Sequence, residues 1–321
     1  MMRHIIIFLL KNSFIISFIY NSFFRIKNKK KFDYEIIHRK KISIFSYKEL
    51  AKPIPFCPYE RIKDSNYYGH LFFLKRYCNL KKIDYAIEHG LYYDNYIPKA
   101  SFYRTTKRII TFSNERKKII QSKLNKFVVP IGPYIHYADF YIDEKETKLL
   151  KEKLGKTLLF FPVHSCFEGM NSFDIQSIID KIKVFTKKYN FDTVIVNMYY
   201  YDILNTDYDE YYKQAGFRIV TSGNQLDFNF ISRLKTIISL SDYTISNSVG
   251  THTGYCIWMK KPHFIIDRSI IDIEDSIMYK EIGSEFLNYS PIITESQYQV
   301  VSKYWGFDCI KSNNELSQIL K

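Results

Sequence analysis

The stretch Ser241–Ile266, "SDYTISNSVGTHTGYCIWMKKPHFII", decides the fold because it reads as a strand, a turn, a helix and a second strand. "YTISNS" is a short β-rich run, "VG" predicts a turn, and "THTGYCIWMKK" predicts a helix that ends before Pro262. The preceding "FISRLKTIISLSD" has apolar residues at helical spacing and predicts another helix. This alternation of strands and helices is typical of α/β proteins with parallel sheets.

The same alternation continues outward in both directions. The other short β-rich runs are "KISIFSY", "KIDYAIEHG", "RIITFS", "KFVVPIG", "TLLFFPVHS", "FDTVIVNMY", "FRIVTS" and "PHFIID". A charged, helix-favouring segment closes at Gly155, and a chain of 321 residues suits two domains. We therefore predict two domains, residues 31–150 and 151–321, whose parallel sheets face each other across a cleft.

Charge is distributed unevenly along the chain. Residues 1–150 carry 29 lysines and arginines against 13 acidic residues, a net charge of +16, whereas residues 151–321 carry 18 against 20, a net charge of −2. A basic half suits an anionic partner such as a membrane surface, a phosphorylated lipid or a nucleic acid. The alternative is a solvated surface in a lysine-rich chain.

The first 30 residues are apolar but interrupted by Lys11 and Asn12, and they lead into a basic cluster from Arg25 to Lys31. This is a poor membrane span, and no signal-peptide cleavage site follows it. Two structures are consistent with the pattern: an interfacial helix, or a buried strand "HIIIFLL" followed by a helix. The basic cluster favours membrane association for residues 1–30.

Five scattered cysteines without any CxxC pair indicate a reducing compartment rather than a disulfide scaffold or a zinc site. No DxD sequence follows a predicted strand, and the sequence predicts neither a metal site nor a cofactor.

Small polar residues crowd the turn between the predicted strand and helix of the opening stretch. Backbone N–H groups at a helix N-terminus, together with nearby hydroxyls, bind anions and phosphate above all. A helix cap alone would explain only one or two of these hydroxyls. The spacing fits neither GxxxxGK[ST] nor GxGxxG. The predicted phosphate-binding residues are Ser246, Asn247, Ser248, Gly250 and Thr251.

Histidines follow two other predicted strands. His89 precedes Gly90, and an imidazole in this position can accept a proton from a hydroxyl at neutral pH. A structural role for His89 is the alternative, and the carboxylates of Glu88 and Asp94 could orient it or act themselves. His164 and Ser165 end the first strand of the second half, where they could reach a phosphate or a sugar.

The order of these features resembles that of two-domain GT-B-type glycosyltransferases, particularly the bacterial group that contains capsule and lipopolysaccharide transferases and the CDP-glycerol glycerophosphotransferases. The resemblance rests on "IEHG", "ITFS", "VPIG" and "SDYTISNSVGTHTGYCIWMKKP". It implies two Rossmann-like domains, with the acceptor in the first and a nucleotide-sugar donor in the second. It also implies that His89 is the general base and that Ser246, Ser248, Gly250 and Thr251 hold the donor diphosphate.

The sequence departs from the group in one respect, because "VIVNMYYYD" lacks the Lys-x-His-Pro of the teichoic acid enzymes. We therefore predict an inverting, metal-independent glycosyltransferase, acting on a saccharide or lipid-linked acceptor at the inner face of the cell membrane. The alternatives are a polyol-phosphate transferase, a sugar-nucleotide epimerase of similar architecture, a transferase degenerated into a binding partner, and a basic nucleic-acid- or lipid-binding protein. The absence of a recognisable RNA or DNA motif argues against nucleic acid as a partner.

Overall fold

The computed structural model describes residues 13–165, 173–268 and 275–321, and these residues form an α/β fold with two parallel sheets. The predicted α/β class is thereby confirmed. The smaller sheet has the order β1-β2-β3, with Ile87 paired to Ile110 and Ile110 to Val129. Its strands are β1 (Ala86–Ile87), β2 (Arg108–Thr111) and β3 (Phe127–Pro130).

The larger sheet has the order β6-β5-β4-β7-β8, which is a doubly wound arrangement. Every residue of its central strand β4 is buried, as expected of a parallel strand covered on both faces. The strands are β4 (Thr157–Phe161), β5 (Thr193–Asn197), β6 (Arg218–Val220), β7 (Tyr243–Ser246) and β8 (His263–Ile265).

Helices connect and cover the strands, and several begin and end at residues that the sequence makes recognisable. Asp143 caps α5 by accepting a hydrogen bond from the Glu146 N–H, and Gly155 ends that helix with a φ of 65°. The helices are α1 (Phe14–Arg39), α2 (Tyr47–Ala51), α3 (His70–Tyr77), α4 (Asn114–Lys123), α5 (Glu144–Leu154), α6 (Ile175–Lys188), α7 (Tyr200–Asn205), α8 (Tyr208–Gln214), α9 (Phe230–Leu240), α10 (Thr251–Trp258), α11 (Ile277–Glu285), α12 (Glu295–Trp305) and α13 (Asn313–Leu320).

Eight of the nine predicted strand runs contain a strand, and both helices predicted around the opening stretch are present. The prediction of a strand at "KISIFSY" was wrong. This segment folds into turns, with the Ser46 N–H donating to the Ser43 carbonyl at 2.9 Å, and α2 begins at its end. Ile44 is buried in the main core and the adjacent Phe45 also packs against it, so consecutive residues contact the core instead of the alternate residues of a strand.

The N-terminal region packs against the larger sheet's half of the molecule. Helix α2 lies against α7, and the Tyr47 hydroxyl donates to the Asp209 carboxylate at 2.8 Å. No helix within the described residues is both long and apolar enough to cross a bilayer. The run "HIIIFLL" lies outside the described residues.

The C-terminal helices return to the smaller sheet's half. Gly306, after α12, lies so close to the end of β2 that a Cβ there would be 2.3 Å from the Phe112 carbonyl oxygen. At α13, the Ile319 carbonyl accepts a hydrogen bond from the Tyr85 hydroxyl at 2.7 Å. One hydrophobic cluster accordingly contains residues of both sheets. The domain boundary near residue 150 stays a prediction.

Candidate functional site

The strand order of the larger sheet marks a crevice at the carboxyl ends of β4 and β7. The chain leaves β4 toward β5 on one side, whereas β7 and β8 lie on the other, so the connections diverge at this point. Open parallel sheets bind ligands at such a switch point. The loop after β4 carries His164 and Ser165, and the turn after β7 carries the predicted phosphate-binding residues.

The residues that follow β7, from 247 to the first residue of α10 at 251, form what we call the β7 turn. A buried hydroxyl at the end of the strand stabilises it. Ser246 is fully buried, its Oγ donates to the Ser248 carbonyl at 2.6 Å, and it lies 3.0 Å from His263 Nε2. Burial lowers the pKa of His263 to about 3, so this imidazole is neutral. The Ser246 hydroxyl is therefore occupied in shaping the turn.

Asn247 joins the two loops of the crevice and has an unused donor. Its side chain is fully buried, and Oδ1 accepts a hydrogen bond from the Val163 N–H at 2.6 Å. Within the described residues, the Asn247 Nδ2 group has no hydrogen-bond partner. A buried N–H without a partner is costly, and this one lies in the turn predicted to bind an anion.

Helix α10 begins at the end of this turn. Gly250 precedes the helix in an extended conformation, and a Cβ there would lie 2.7 Å from His252 Nδ1. The Thr251 Oγ1 atom accepts a hydrogen bond from the Leu91 N–H at 2.9 Å, across from the other half of the molecule. The first-turn N–H groups of α10 and the Thr251 side chain thus lie at the junction of the two sheets.

Sequence reasoning missed His252, which stands inside the opening stretch between Gly250 and Thr253. Its ring stacks on Phe161 at the end of β4, with centroids 4.6 Å apart and an interplanar angle of 13°. Burial, and then the neighbouring His263 and His164, lower the pKa of His252 well below its ordinary value. Among the described residues, its Nε2 atom has no hydrogen-bond partner. The sequence holds no signal for this role, because the stacking on Phe161 and the burial depend on the fold.

The loop after β4 places its two predicted residues differently. His164 is exposed, and its ring centroid lies 4.5 Å from that of Tyr199. Ser165 is buried, and its N–H donates to the Asp202 carboxylate at 3.2 Å. Burial raises the pKa of Asp202, a residue not singled out from the sequence. Ser165 is therefore tied to α7, whereas His164 is accessible to a ligand.

At the edge of the smaller sheet, Glu88 forms a buried ion pair. Arg116 Nη2 and Nε donate to its carboxylate at 2.6 and 3.0 Å, and the Thr111 hydroxyl donates at 2.7 Å. Both Glu88 and Arg116 are buried. The sequence signal missed here was Arg116, three residues after the Ser113 that caps α4. These contacts favour a structural role for Glu88 over proton transfer.

His89 follows Glu88 and is partly exposed among tyrosines. The Tyr92 hydroxyl lies 3.2 Å from both ring nitrogens, and the Tyr67 and Tyr68 ring centroids lie 5.5 and 5.8 Å from that of His89. Burial lowers the pKa of His89 more than the nearby Asp64 raises it. The imidazole is therefore neutral at neutral pH and able to accept a proton.

Asp94 belongs to the same loop but contacts a helix. It has a φ of 43°, and its Oδ1 accepts a hydrogen bond from the Met278 N–H at 2.9 Å in the first turn of α11. A carboxylate at a helix N-terminus stabilises that helix. The contact favours an anchoring role for Asp94.

We call residues 88–96, which follow β1, the His89 loop, and this loop contacts the β7 turn directly. In addition to the hydrogen bond between Leu91 and Thr251, the Tyr93 hydroxyl donates to the Val249 carbonyl at 2.8 Å. A further bridge joins the two halves, with the Tyr68 and Tyr199 hydroxyl oxygens 3.1 Å apart. The structure thus places the loop that carries the predicted base against the turn that carries the predicted anion site, although the two are about 160 residues apart in sequence.

No group of three or more His, Cys, Asp or Glu side chains suited to a metal ion occurs in the described part of the chain. Apart from the carboxylates of Glu88 and Asp94, which make structural contacts, the predicted site residues offer imidazole, hydroxyl, amide and backbone N–H groups, which suit proton transfer and anion binding.

Comparisons with known proteins found no matching family model and no matching curated protein. Among solved structures, the wall teichoic acid polymerase TagF is 13% identical, with a TM-score of 0.43, over 67% of this chain and 57% of that one. The S. aureus MnaA–UDP structure is 12% identical, with a TM-score of 0.40, over 78% and 75% of the two chains. Medicago truncatula UGT71G1 complexed with UDP-glucose is 12% identical, with a TM-score of 0.30, over 78% and 63%.

This chain thus spans little more than half of the TagF chain. At such identities and TM-scores, its function has to be argued from its own residues.

Proposed function

We propose that this protein is an inverting, metal-independent glycosyltransferase that moves a sugar from a nucleotide-sugar donor to an acceptor hydroxyl. The observation that carries the proposal is the contact between the His89 loop and the β7 turn, through the 2.9 Å hydrogen bond from Leu91 N–H to Thr251 Oγ1. A neutral base and an anion-binding turn are what such a transfer requires at one place.

In the proposed reaction, His89 takes the proton of the acceptor hydroxyl while its oxygen attacks the anomeric carbon. The bond from that carbon to the donor diphosphate breaks, and the electron pair leaves with the diphosphate. A single displacement of this kind inverts the anomeric configuration. The lowered pKa of His89 keeps it unprotonated and ready to act at neutral pH.

The β7 turn would stabilise the negative charge that grows on the diphosphate. The Asn247 amide and the Thr251 hydroxyl, each held by a hydrogen bond from a neighbouring backbone N–H, and the first N–H groups of α10 are donors fixed before the reaction begins, and the Ser248 hydroxyl would add a further donor. His164 is exposed beside the same crevice and would contact the phosphate or the sugar. Ser246, Ser165, Glu88 and Asp94 would act by holding these loops in place.

The proposed acceptor is a growing surface polysaccharide, such as a capsule or lipopolysaccharide chain, or a lipid-linked saccharide at the inner face of the cell membrane. The basic first half of the chain supports this location, since cationic residues are attracted to anionic lipid headgroups.

A thermal-shift screen of the full chain against UDP, GDP, CDP, CMP, dTDP and ADP, with and without magnesium, tests the donor site. A ligand at about 100 times its dissociation constant adds about 2.7 kcal/mol to the free energy of unfolding. We expect a selective, magnesium-independent shift that is lost in the double variant Ser248→Ala, Thr251→Ala. The control Ser122→Ala, Ser284→Ala changes two exposed serines and should leave the shift intact. The absence of a shift with every nucleotide would contradict the proposal.

A further inference from the structure

The first half of helix α1 has its polarity reversed relative to an ordinary surface helix. On the side that faces the protein, Asn21 Nδ2 donates to the Arg61 carbonyl at 2.9 Å and Asn28 Nδ2 donates to the Phe56 carbonyl at 2.7 Å. Between them, Arg25 Nε donates to the Pro58 carbonyl at 3.0 Å. Polar side chains thus attach the helix to the segment of residues 56–61, whereas an apolar stripe would ordinarily do so.

The C-terminal half of α1 fixes this orientation. Phe32 and Ile36 are buried in a small cluster with Ile54 and Cys57. Arg39 is 1% exposed, and its Nη1 donates to the Leu50 carbonyl at 2.6 Å. Because both halves of the helix are held by specific contacts, its outward face is determined by the fold.

The outward face of the first three turns is apolar. Its side chains follow helical spacing and have exposed fractions between 58% and 82%, namely Ile15, Phe18, Ile19, Phe23 and Ile26. Five large apolar side chains on one face, each more than half exposed, are unusual for a surface in contact with water alone. We call these five residues the outer face of α1.

Cationic residues continue along the same helix. Lys27, Lys30 and Lys31 are exposed and directly follow the outer face. Lys27 Nζ also lies 5.9 Å from the ring centroid of Phe23, so charge and apolar surface adjoin. This combination matches an interface between apolar acyl chains and anionic headgroups. A parallel pairing of two α1 helices would bring these like charges side by side, whereas anionic headgroups complement them.

We propose that the outer face of α1 docks on an anionic lipid bilayer, with the helix lying in the plane of the membrane surface. The five apolar side chains enter the acyl boundary, and Lys27, Lys30 and Lys31 contact the lipid headgroups. The proposal does not depend on the proposed glycosyl transfer, since lipid binding can be measured without nucleotide or acceptor.

Flotation of the full chain with vesicles tests the docking surface. We expect binding to vesicles that contain phosphatidylcholine with phosphatidylglycerol, little binding to phosphatidylcholine alone, and release by salt. The variant Phe18→Ser, Ile19→Ser, Ile26→Ser should lower the apparent affinity by at least ~10-fold. The control Val184→Ser, Leu204→Ser, Ile292→Ser removes exposed apolar residues elsewhere and should bind like the unaltered chain.

A second variant, Lys27→Gln, Lys30→Gln, Lys31→Gln, should weaken binding to the anionic vesicles by ~100-fold, since each cation contributes about a factor of five. Its matched control is Lys145→Gln, Lys148→Gln, Lys153→Gln on α5, where all three lysines are also exposed.

Equal flotation of the unaltered chain and both α1 variants would overturn the proposal. So would an oligomer in solution that the apolar α1 variant converts to monomers without any loss of vesicle binding. The nucleotide thermal shift, measured on the same variants, keeps the two proposals apart. The nucleotide-induced shift should be unchanged in variants that no longer bind vesicles. The unfolding midpoint of each variant without nucleotide shows whether that variant is folded.

Discussion

The candidate site lies between one edge of the smaller sheet and one edge of the larger sheet, and these two edges use their polar groups in opposite ways. At the smaller sheet, the carboxylate of Glu88 is saturated by Arg116 and Thr111, and that of Asp94 caps α11. At the larger sheet, Asn247 Nδ2 and His252 Nε2 are buried without a partner in the described residues.

This difference separates the proposed work of the two edges. The edge of the smaller sheet uses its carboxylates to hold its own loop and presents the imidazole of His89 for proton transfer. The edge of the larger sheet has neutral polar groups without partners in the described residues, as expected of a site whose hydrogen bonds are completed by a bound anion.

The largest expected effect follows from removing the His89 imidazole at the edge of the smaller sheet. His89→Ala should lower kcat by ~10²- to 10⁴-fold, the usual contribution of a general base, while nucleotide affinity is unchanged. The measurement is transfer from the nucleotide sugar whose nucleotide gives the thermal shift, and the control is His38→Ala, an exposed histidine on α1. Unchanged kcat would contradict the role of His89. Formation of an isomer from the donor alone, without acceptor, would instead indicate an epimerase.

Removing the cation of the same edge tests whether Glu88 is structural. Arg116→Met leaves a buried carboxylate unpaired and should lower the free energy of unfolding by about 3–5 kcal/mol. Urea denaturation measures this, and Lys118→Met, on the exposed face of the same helix, serves as the control. Adding Glu88→Leu to Arg116→Met should restore part of the loss. A single Arg116→Met variant as stable as the unaltered chain would show that the ion pair does not hold the loop.

Asn247→Asp tests whether the unpartnered amide at the edge of the larger sheet binds the diphosphate. The substitution keeps the oxygen that accepts the Val163 N–H but replaces the unpartnered amide by a carboxylate, which repels a diphosphate. Nucleotide-diphosphate affinity should fall by ~10- to 100-fold in calorimetric titration. Asn288→Asp, at an exposed position, should bind normally. If Asn247→Asp folds and binds with unchanged affinity, the amide does not face the ligand.

The smallest effect concerns the pH dependence of stability. Burial lowers the pKa of His263 to about 3, against about 6.5 in an unfolded chain. Below pH ~6.5 the unfolded state therefore binds a proton that the folded state does not. The stabilisation is complete above that pH and is lost progressively as the pH falls toward about 3.

In urea titrations below pH 6, His263→Gln should reduce the slope of unfolding free energy against pH by up to about 1.4 kcal/mol per pH unit. An unchanged slope would mean that His263 is protonated in the folded protein.

The sequence predicted the sheets well because buried parallel strands are short apolar runs that end in polar residues. It predicted "KISIFSY" as a strand for the same reason, although Ile44 is buried by tertiary contacts and the segment pairs with no strand among the described residues. Local periodicity does not contain that information.

The sequence predicted which loops form the site. It did not predict which of their residues are available to a ligand and which hold the loops in place. His89 and the β7 turn could be found because both follow strands, and parallel strands end at one edge. That Arg116 saturates Glu88 from a helix 28 residues away depends on the packing of α4, which the sequence pattern does not specify. His252 was missed because its importance lies in stacking on Phe161, which ends β4 and is distant from α10 in sequence.

The return of the C-terminal helices has a mechanical consequence for any movement between the two sheets. The chain passes between them near Gly155, before β4, and again near Gly306, and Trp305 at the second passage donates its indole N–H to the Thr251 carbonyl at 3.2 Å. Any rotation of one sheet relative to the other would have to strain or break this hydrogen bond, so the first turn of α10 is mechanically linked to the C-terminal helices.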